Sequence, residues 1–158
     1  MTGTSSAGAV PYGTAGSAGA GGGPAADGVR VRTPVPTWLV TGPRAGAREA
    51  AIAALLQTGV SSVIILEGLS DGGSALAFDP EDCPVPYDPI PQVLRIAPGC
   101  LHCSGNLVLR VTLNRVLRRP PARLYISLAT SEHLALLRAW LSEAPYGELL
   151  DLQSDIEA

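Results

Sequence analysis

The sequence predicts an α/β fold, a three-layer sandwich in which helices cover both faces of a parallel sheet of about four strands. Short apolar runs rich in β-branched residues alternate with segments of helical periodicity, which is the order expected of strands joined by crossover helices. The apolar runs also lack the regular alternation of polar and apolar residues that half-exposed strands show. We therefore expect strands that are buried on both faces.

The predicted elements follow one another as β-α-β-loop-β-α-β-α. The strands are residues 37–41, 60–66, 92–97 and 122–128, and the helices are residues 45–57, 104–119 and 131–143. Gly59 closes the first helix, and Pro120 and Pro121 stop the second. The stretch 68–91, rich in Pro, Gly and Asp, is the one sizeable loop in this order.

The composition divides the chain into three parts. Residues 1–36 hold nine of the 18 glycines, four of the 14 prolines and no charged residue before Asp27, so we expect a disordered tail. Residues 37–145 are expected to form one domain, since the 122 residues from position 37 onward suffice for one core. Residues 146–158 are expected to be an acidic tail.

The charge and cysteine content exclude several classes of function. A net charge of −3 and a pI near 5.3 provide no broad positive field, so neither nucleic acid nor an anionic membrane is an expected partner. All eleven basic residues are arginines, which excludes Schiff-base chemistry on a lysine. With no secretion signal, no membrane-length apolar stretch and only three cysteines, the expected location is the cytoplasm.

The segment after the first strand, GPRAGARE, has the frame of a phosphate-binding loop. Such a loop carries Gly at its first and sixth positions, then Lys, then Ser or Thr for magnesium. Gly42 keeps the first position and Gly46 lies within the loop, but Ala47, Arg48 and Glu49 take the other three. Glu49 places a carboxylate where polyphosphate oxygens would lie, so tight nucleotide binding is not expected. The competing interpretation is a plain strand-to-helix turn.

The segment after the third strand, GCLHCSGN, offers two thiols and an imidazole, those of Cys100, His102 and Cys103. Sulfur and nitrogen donors at the start of a helix suit zinc or a similar ion. Three such close donors do not easily complete a tetrahedron, so a fourth ligand would come from water, Cys83 or another protein. A redox dithiol and a turn packed by small buried residues are the competing interpretations.

These two segments together resemble the CobW-type branch of the P-loop GTPases, which are metal chaperones related to HypB and UreG. Residues 35–56 are similar to that family's opening strand, phosphate loop and first helix, and VIILEG to its second strand, which ends in Asn-Glu-Phe-Gly. APGCLHC resembles its Gly-Cys-x-Cys-Cys metal motif, and RLYISLAT the strand that ends in Glu-Thr-Ser-Gly. The resemblance covers residues 35–142 and implies an incomplete P-loop NTPase-like fold.

The departures from the family pattern affect mainly the nucleotide. The Lys and Thr of the phosphate loop are replaced, and Ser127 stands at the family's Glu after the fourth strand. The guanine-reading Asn-Lys-x-Asp segment cannot exist in a chain without Lys. In the metal motif, by contrast, His102 replaces a Cys and remains able to coordinate. The pattern indicates a truncated pseudo-GTPase, for which we expect no catalytic residue, no GTP hydrolysis and no bound GTP or magnesium.

The function predicted on this basis is that of a metal-binding accessory or metal-homeostasis protein, with zinc or cobalt as the expected ion. A protein partner or a homo-oligomer is compatible with it. Two alternatives stay open, an active GTP-binding metallochaperone and an interaction module for a full-length relative. Outside the two motifs, Glu67 is interpreted as a polar strand end, with an approach to a bound ion or to a water beside the phosphates as the alternative. A run of arginines is interpreted as a solvated helix face, with contact to an acidic partner such as residues 143–157 of this chain as the alternative: Arg110, Arg115, Arg118, Arg119 and Arg123.

Overall fold

A computed structural model describes residues 32–70, 72–78, 89–99 and 106–158. The predicted tail at 1–36 therefore lies outside the described residues except for its last five positions. The described elements are, in chain order, β1 (Val35–Thr41), α1 (Ala45–Ala53), β2 (Ser62–Glu67), β3 (Gln92–Ile96), α2 (Leu107–Val116), β4 (Arg123–Ser127), α3 (Leu134–Ser142), a 3₁₀ turn (Tyr146–Glu148), β5 (Leu150–Leu152) and β6 (Ile156–Glu157).

The strands form one sheet in the order β3-β2-β4-β1-β5, and β6 pairs with β1 beyond the end of β5. Every strand pair in the described residues is parallel. The predicted α/β class with a parallel sheet is thus confirmed. Arg32–Ala158 make one compact unit.

Helices pack against both faces of this sheet because successive strand residues point in opposite directions. Along β2, Val63 and Ile65 join the apolar cluster beneath α2 and α3, whereas Ile64 and Leu66 join the cluster beneath α1. All six residues of β2 are buried. A strand of this kind cannot show the polar and apolar alternation of a half-exposed strand.

The segment predicted to be an acidic tail lies along the edge of the sheet instead. Val35 pairs with Leu150, and Val40 pairs with Ile156, so β5 and β6 form one interrupted edge strand beside β1. Between them, the backbone N–H of Gln153 donates to the carbonyl oxygen of Thr37 at 2.9 Å. The apolar residues of this segment provide its contacts with the core. In the sequence, the acidic residues between them suggest a solvent-exposed tail.

Helix α1 ends earlier than predicted, at Ala53 rather than at residue 57. Its last turn tightens, as the N–H of Leu55 donates to the carbonyl of Ile52 at 2.9 Å, a three-residue spacing in place of the α-helical four. Within the described residues, no helix has both the length and the apolar character needed to cross a bilayer.

Candidate functional site

The predicted phosphate loop lies at the carboxyl edge of the sheet, where ligands bind in folds of this class. Strand β1 ends at Thr41 and α1 already begins at Ala45, so three residues connect them. Gly46 and Ala47 consequently lie in the first turn of α1. A phosphate loop needs its backbone N–H groups curled around the anion before the helix starts, and this short connection leaves little backbone to do so.

Gly42 has a structural reason to be glycine. Its φ of 153° lies in a region that residues with a side chain rarely adopt, and a Cβ added there would lie 2.5 Å from a backbone oxygen of Ala158. The N–H of Ala158 donates to the carbonyl oxygen of Thr41 at 2.9 Å. Backbone from the β6 segment therefore occupies the space directly beside the first position of the loop.

Arg48, at the position of the phosphate-loop Lys, is directed into the protein and is 4% exposed. Its Nε donates to the hydroxyl oxygen of Ser127 at 2.9 Å, and its Nη1 donates to the carbonyl oxygen of Gly42 at 2.6 Å. Its Nη2 lies 3.4 Å from the carbonyl oxygen of Glu67. One guanidinium thus links the carboxyl ends of β1, β2 and β4.

Glu67, the last residue of β2, is 2% exposed and holds two neighbouring loops. Its Oε1 accepts the backbone N–H of Gly99 at 2.8 Å, and its Oε2 accepts the N–H of Ala129 at 2.9 Å. Gly99 follows β3 and Ala129 follows β4, so the carboxylate connects the chain segments after both strands. The interpretation of Glu67 as a simple polar strand end missed this connection.

Glu49, at the position of the magnesium-binding hydroxyl, is 2% exposed and engaged within the chain. Its Oε1 lies 2.9 Å from Nη1 of Arg95 on β3, and its Oε2 accepts a hydrogen bond from the hydroxyl of Ser74. Neither Arg95 nor Ser74 was expected from the sequence to belong to this site. The signal available for Arg95 was that it is the one charged residue in the apolar run QVLRI.

The four charged side chains of this cluster comprise two of each sign, of which Arg48, Glu49 and Glu67 are buried and Arg95 is exposed. Arg48 and Arg95 supply two positive charges, and Glu49 and Glu67 supply two negative ones. Buried charges are costly without partners, and each of these four groups has hydrogen-bond partners in the chain. The arrangement is thus a polar core at the end of the sheet.

A depression of about 310 Å³ lies between the ends of β1 and β4. Two carboxylates line it, those of Glu132 and Glu157, and its lining contains no arginine. An opening of this charge would repel a polyphosphate.

The predicted metal ligands Cys100, His102 and Cys103 lie outside the described residues, and so does Cys83. The structure places the residue before them, since Gly99 is anchored to Glu67 and has a φ of 79°. On the other side, Asn106 precedes α2 with a φ of 52°. Among the described residues, no group of three potential ligands is arranged to hold a metal ion.

Comparisons with known proteins do not assign the chain to a family. No family model, no curated protein and no solved structure matches it. The resemblance to the CobW-type proteins therefore rests on the sequence motifs alone.

Proposed function

We propose that this protein is a degenerate, non-hydrolysing relative of the CobW-type GTPases that serves as a metal-binding accessory protein. The proposal that the protein does not hydrolyse GTP rests on the position and hydrogen bonds of the Arg48 side chain. The side chain that would reach the phosphates is buried and hydrogen-bonded to Gly42 and Ser127.

Nucleotide binding would require this side chain to leave its partners. Turning Arg48 outward would leave the buried hydroxyl of Ser127 and the partly buried carbonyl of Gly42 without their present donor, at a cost of about 1–3 kcal/mol for the buried hydroxyl. The lining carboxylates of Glu132 and Glu157 add a repulsion of about 1–4 kcal/mol for each close pair of charges. Both terms oppose a triphosphate at this loop.

The metal half of the proposal rests on the donor set and on the anchor beside it. Cys100, His102 and Cys103 provide soft donors suited to zinc or cobalt. The hydrogen bond from Gly99 to Glu67 fixes the backbone one residue before Cys100. A fixed starting point reduces the conformational entropy that the donors lose when they gather around an ion.

A nucleotide titration tests the first half. Protein at tens of micromolar is titrated with a fluorescent GTP analogue in the presence of magnesium, and GTP turnover is followed in parallel. We expect neither saturable binding nor turnover. Magnesium-dependent turnover that disappears in Arg48→Ala would refute the proposal and establish the active GTPase alternative.

Metal analysis tests the second half. Protein purified without a histidine tag is incubated with zinc or cobalt, dialysed and analysed for metal by mass spectrometry. We expect bound metal in the wild type and in His133→Ala, and a loss of it in Cys100→Ser, Cys103→Ser and His102→Ala. His133 is the matched control because it is the only other histidine in the chain. A metal-free wild type, or equal metal content in all variants, would contradict the proposal.

A further inference from the structure

A second depression, of about 340 Å³, lies at the opposite edge of the sheet from the candidate site. It is formed by the beginnings of β2 and β3 and by the end of α2. Since β2 has six residues, roughly 17 Å of strand separates the two edges. The depression is therefore separate from the site around Arg48 and Glu67.

Three arginines line this depression: Arg115, Arg118 and Arg119. Within the described part of the chain, none of the three guanidinium groups makes a hydrogen bond or an ion pair. The other arginines near α2 and β4 are engaged differently, as Arg110 lies over the ring of Trp140 and Arg123 lies over the ring of Trp38. The run of arginines noted in the sequence thus divides into two groups.

The three unpaired guanidinium groups repel one another, and no acidic residue lines the depression. Arg115 lies in the last turn of α2, where a cation interacts favourably with the helix dipole. That interaction accounts for a positive charge at the helix end. It does not account for three charges around one concave surface, where an anion would be attracted to all of them.

Apart from the exposed Gln92, the rest of the lining is apolar, and this indicates the character of the other part of the ligand. Val63 and Val116 are each 7% exposed, and Leu94 is partly buried. These three side chains offer an apolar contact surface beside the guanidinium groups. The volume lies within the range of about 300–1,000 Å³ that is usual for small-molecule sites.

We propose that this depression binds a small organic phosphate, a phosphomonoester whose remaining part is apolar. Guanidinium groups bind phosphate oxygens with paired hydrogen bonds, and a doubly charged phosphate offsets more of the three positive charges than a monocarboxylate does. The low overall pI argues against a long polyanion as the ligand, because the positive surface is local.

Calorimetric titration with phenyl phosphate, inorganic phosphate and benzoate tests the proposal on the full chain. Phenyl phosphate combines the doubly charged group with an apolar ring, and each of the other probes lacks one of these features. We expect phenyl phosphate to bind at least tenfold more tightly than either of them. We also expect its affinity to fall as the salt concentration rises.

Arginine variants test whether phenyl phosphate binds in this depression. The triple variant Arg115→Ala/Arg118→Ala/Arg119→Ala should bind phenyl phosphate at least tenfold more weakly, whereas Arg44→Ala, an exposed arginine outside the lining, should bind as the wild type does. Circular dichroism verifies that each variant is folded, and the single variant Arg119→Gln replaces the triple variant if that one does not fold. A threefold or greater weakening in Arg119→Gln supports the proposal.

Three results would overturn it. They are no binding of phenyl phosphate at 10 mM by the folded wild type, unchanged affinity in the arginine variants, and tighter binding of a phosphotyrosine peptide than of phenyl phosphate. The last result would replace the small molecule with a phosphoprotein. None of these results depends on whether nucleotide or metal binds at the opposite edge.

Discussion

Replacing Glu67 with glutamine tests how strongly the end of the sheet depends on one carboxylate. The two oxygens of Glu67 accept backbone N–H groups from Gly99 and Ala129 at 2.8 and 2.9 Å, and the side chain is 2% exposed. Glutamine has nearly the same shape but offers only one acceptor oxygen. Its NH₂ group would face an N–H donor, so one of the two loops loses its attachment.

The magnitude follows from these contacts. A hydrogen bond to a charged group contributes about 1.5–3 kcal/mol, and a buried N–H left without an acceptor costs about 1–3 kcal/mol. Because these two ranges describe largely the same loss, we expect Glu67→Gln to lower the free energy of unfolding by about 1.5–3 kcal/mol.

Equilibrium unfolding in urea, followed by circular dichroism, measures this loss. Glu132→Gln is the matched control, since it makes the same chemical change at an exposed carboxylate, and we expect it to remain within about 0.5 kcal/mol of the wild type. If Glu67→Gln also remained within that margin, the carboxylate would not be holding the two loops, and the description of this edge would be refuted.

Three further predictions concern other contacts. Gly42→Ala should destabilise the fold by about 1–3 kcal/mol in thermal unfolding, because its Cβ would clash with a backbone oxygen of Ala158, and deleting residues 156–158 should reduce that cost. Arg95→Met should destabilise the fold by about 1–3 kcal/mol, because it removes the ion pair of the buried Glu49 carboxylate while Arg95 itself is partly open to solvent. Arg95→Met/Glu49→Gln should recover part of this loss in the same assay. Burial raises the pKa of the Tyr146 hydroxyl, so the unfolded chain loses the hydroxyl proton before the folded chain does as the pH rises above about 10. The free energy of unfolding should therefore fall through this range in the wild type and fall less in Tyr146→Phe. Urea unfolding at pH 8 to 11 measures the difference.

The central strands were predictable because they form continuous apolar runs. The run VSSVIIL allowed β2 to be located, and the structure confirms a strand at Ser62–Glu67. Its start moved from residue 60 to 62 because Gly59, with a φ of 78°, still belongs to the turn before it. The first residue of a strand depends on which residues pair with the neighbouring strand. Here Ser62 pairs with Arg123, and the residues around Ser62 in the sequence do not reveal this pairing.

The edge strand was not predicted, for a related reason. Residues 146–158 carry alternating apolar positions, but β5 has three residues and β6 has two, too few for a periodic signal. These strands form because β1 offers a free edge, which is a property of the assembled sheet. The acidic residues of the segment indicated only that much of it faces water.

At the candidate site, the sequence directed attention to Arg48, Glu49 and Glu67 but did not reveal their partners. Arg48 and Glu49 were recognised as departures from a phosphate loop, yet their spacing could not reveal whether they face solvent or the protein. Their partners Ser127 and Arg95 lie 79 and 46 positions away along the chain. Only the order of the strands in the sheet brings these residues together.

The Glu67 carboxylate at the end of β2 accepts hydrogen bonds from two chain segments, and this has a mechanical consequence. Because the amides of Gly99 and Ala129 meet on one carboxylate, the two segments cannot relax independently. A ligand that pulls the chain after Gly99 would stretch one bond, and the carboxylate would then turn towards its remaining donor. Such a displacement would therefore change the hydrogen bond of Ala129, which lines the opening between β1 and β4.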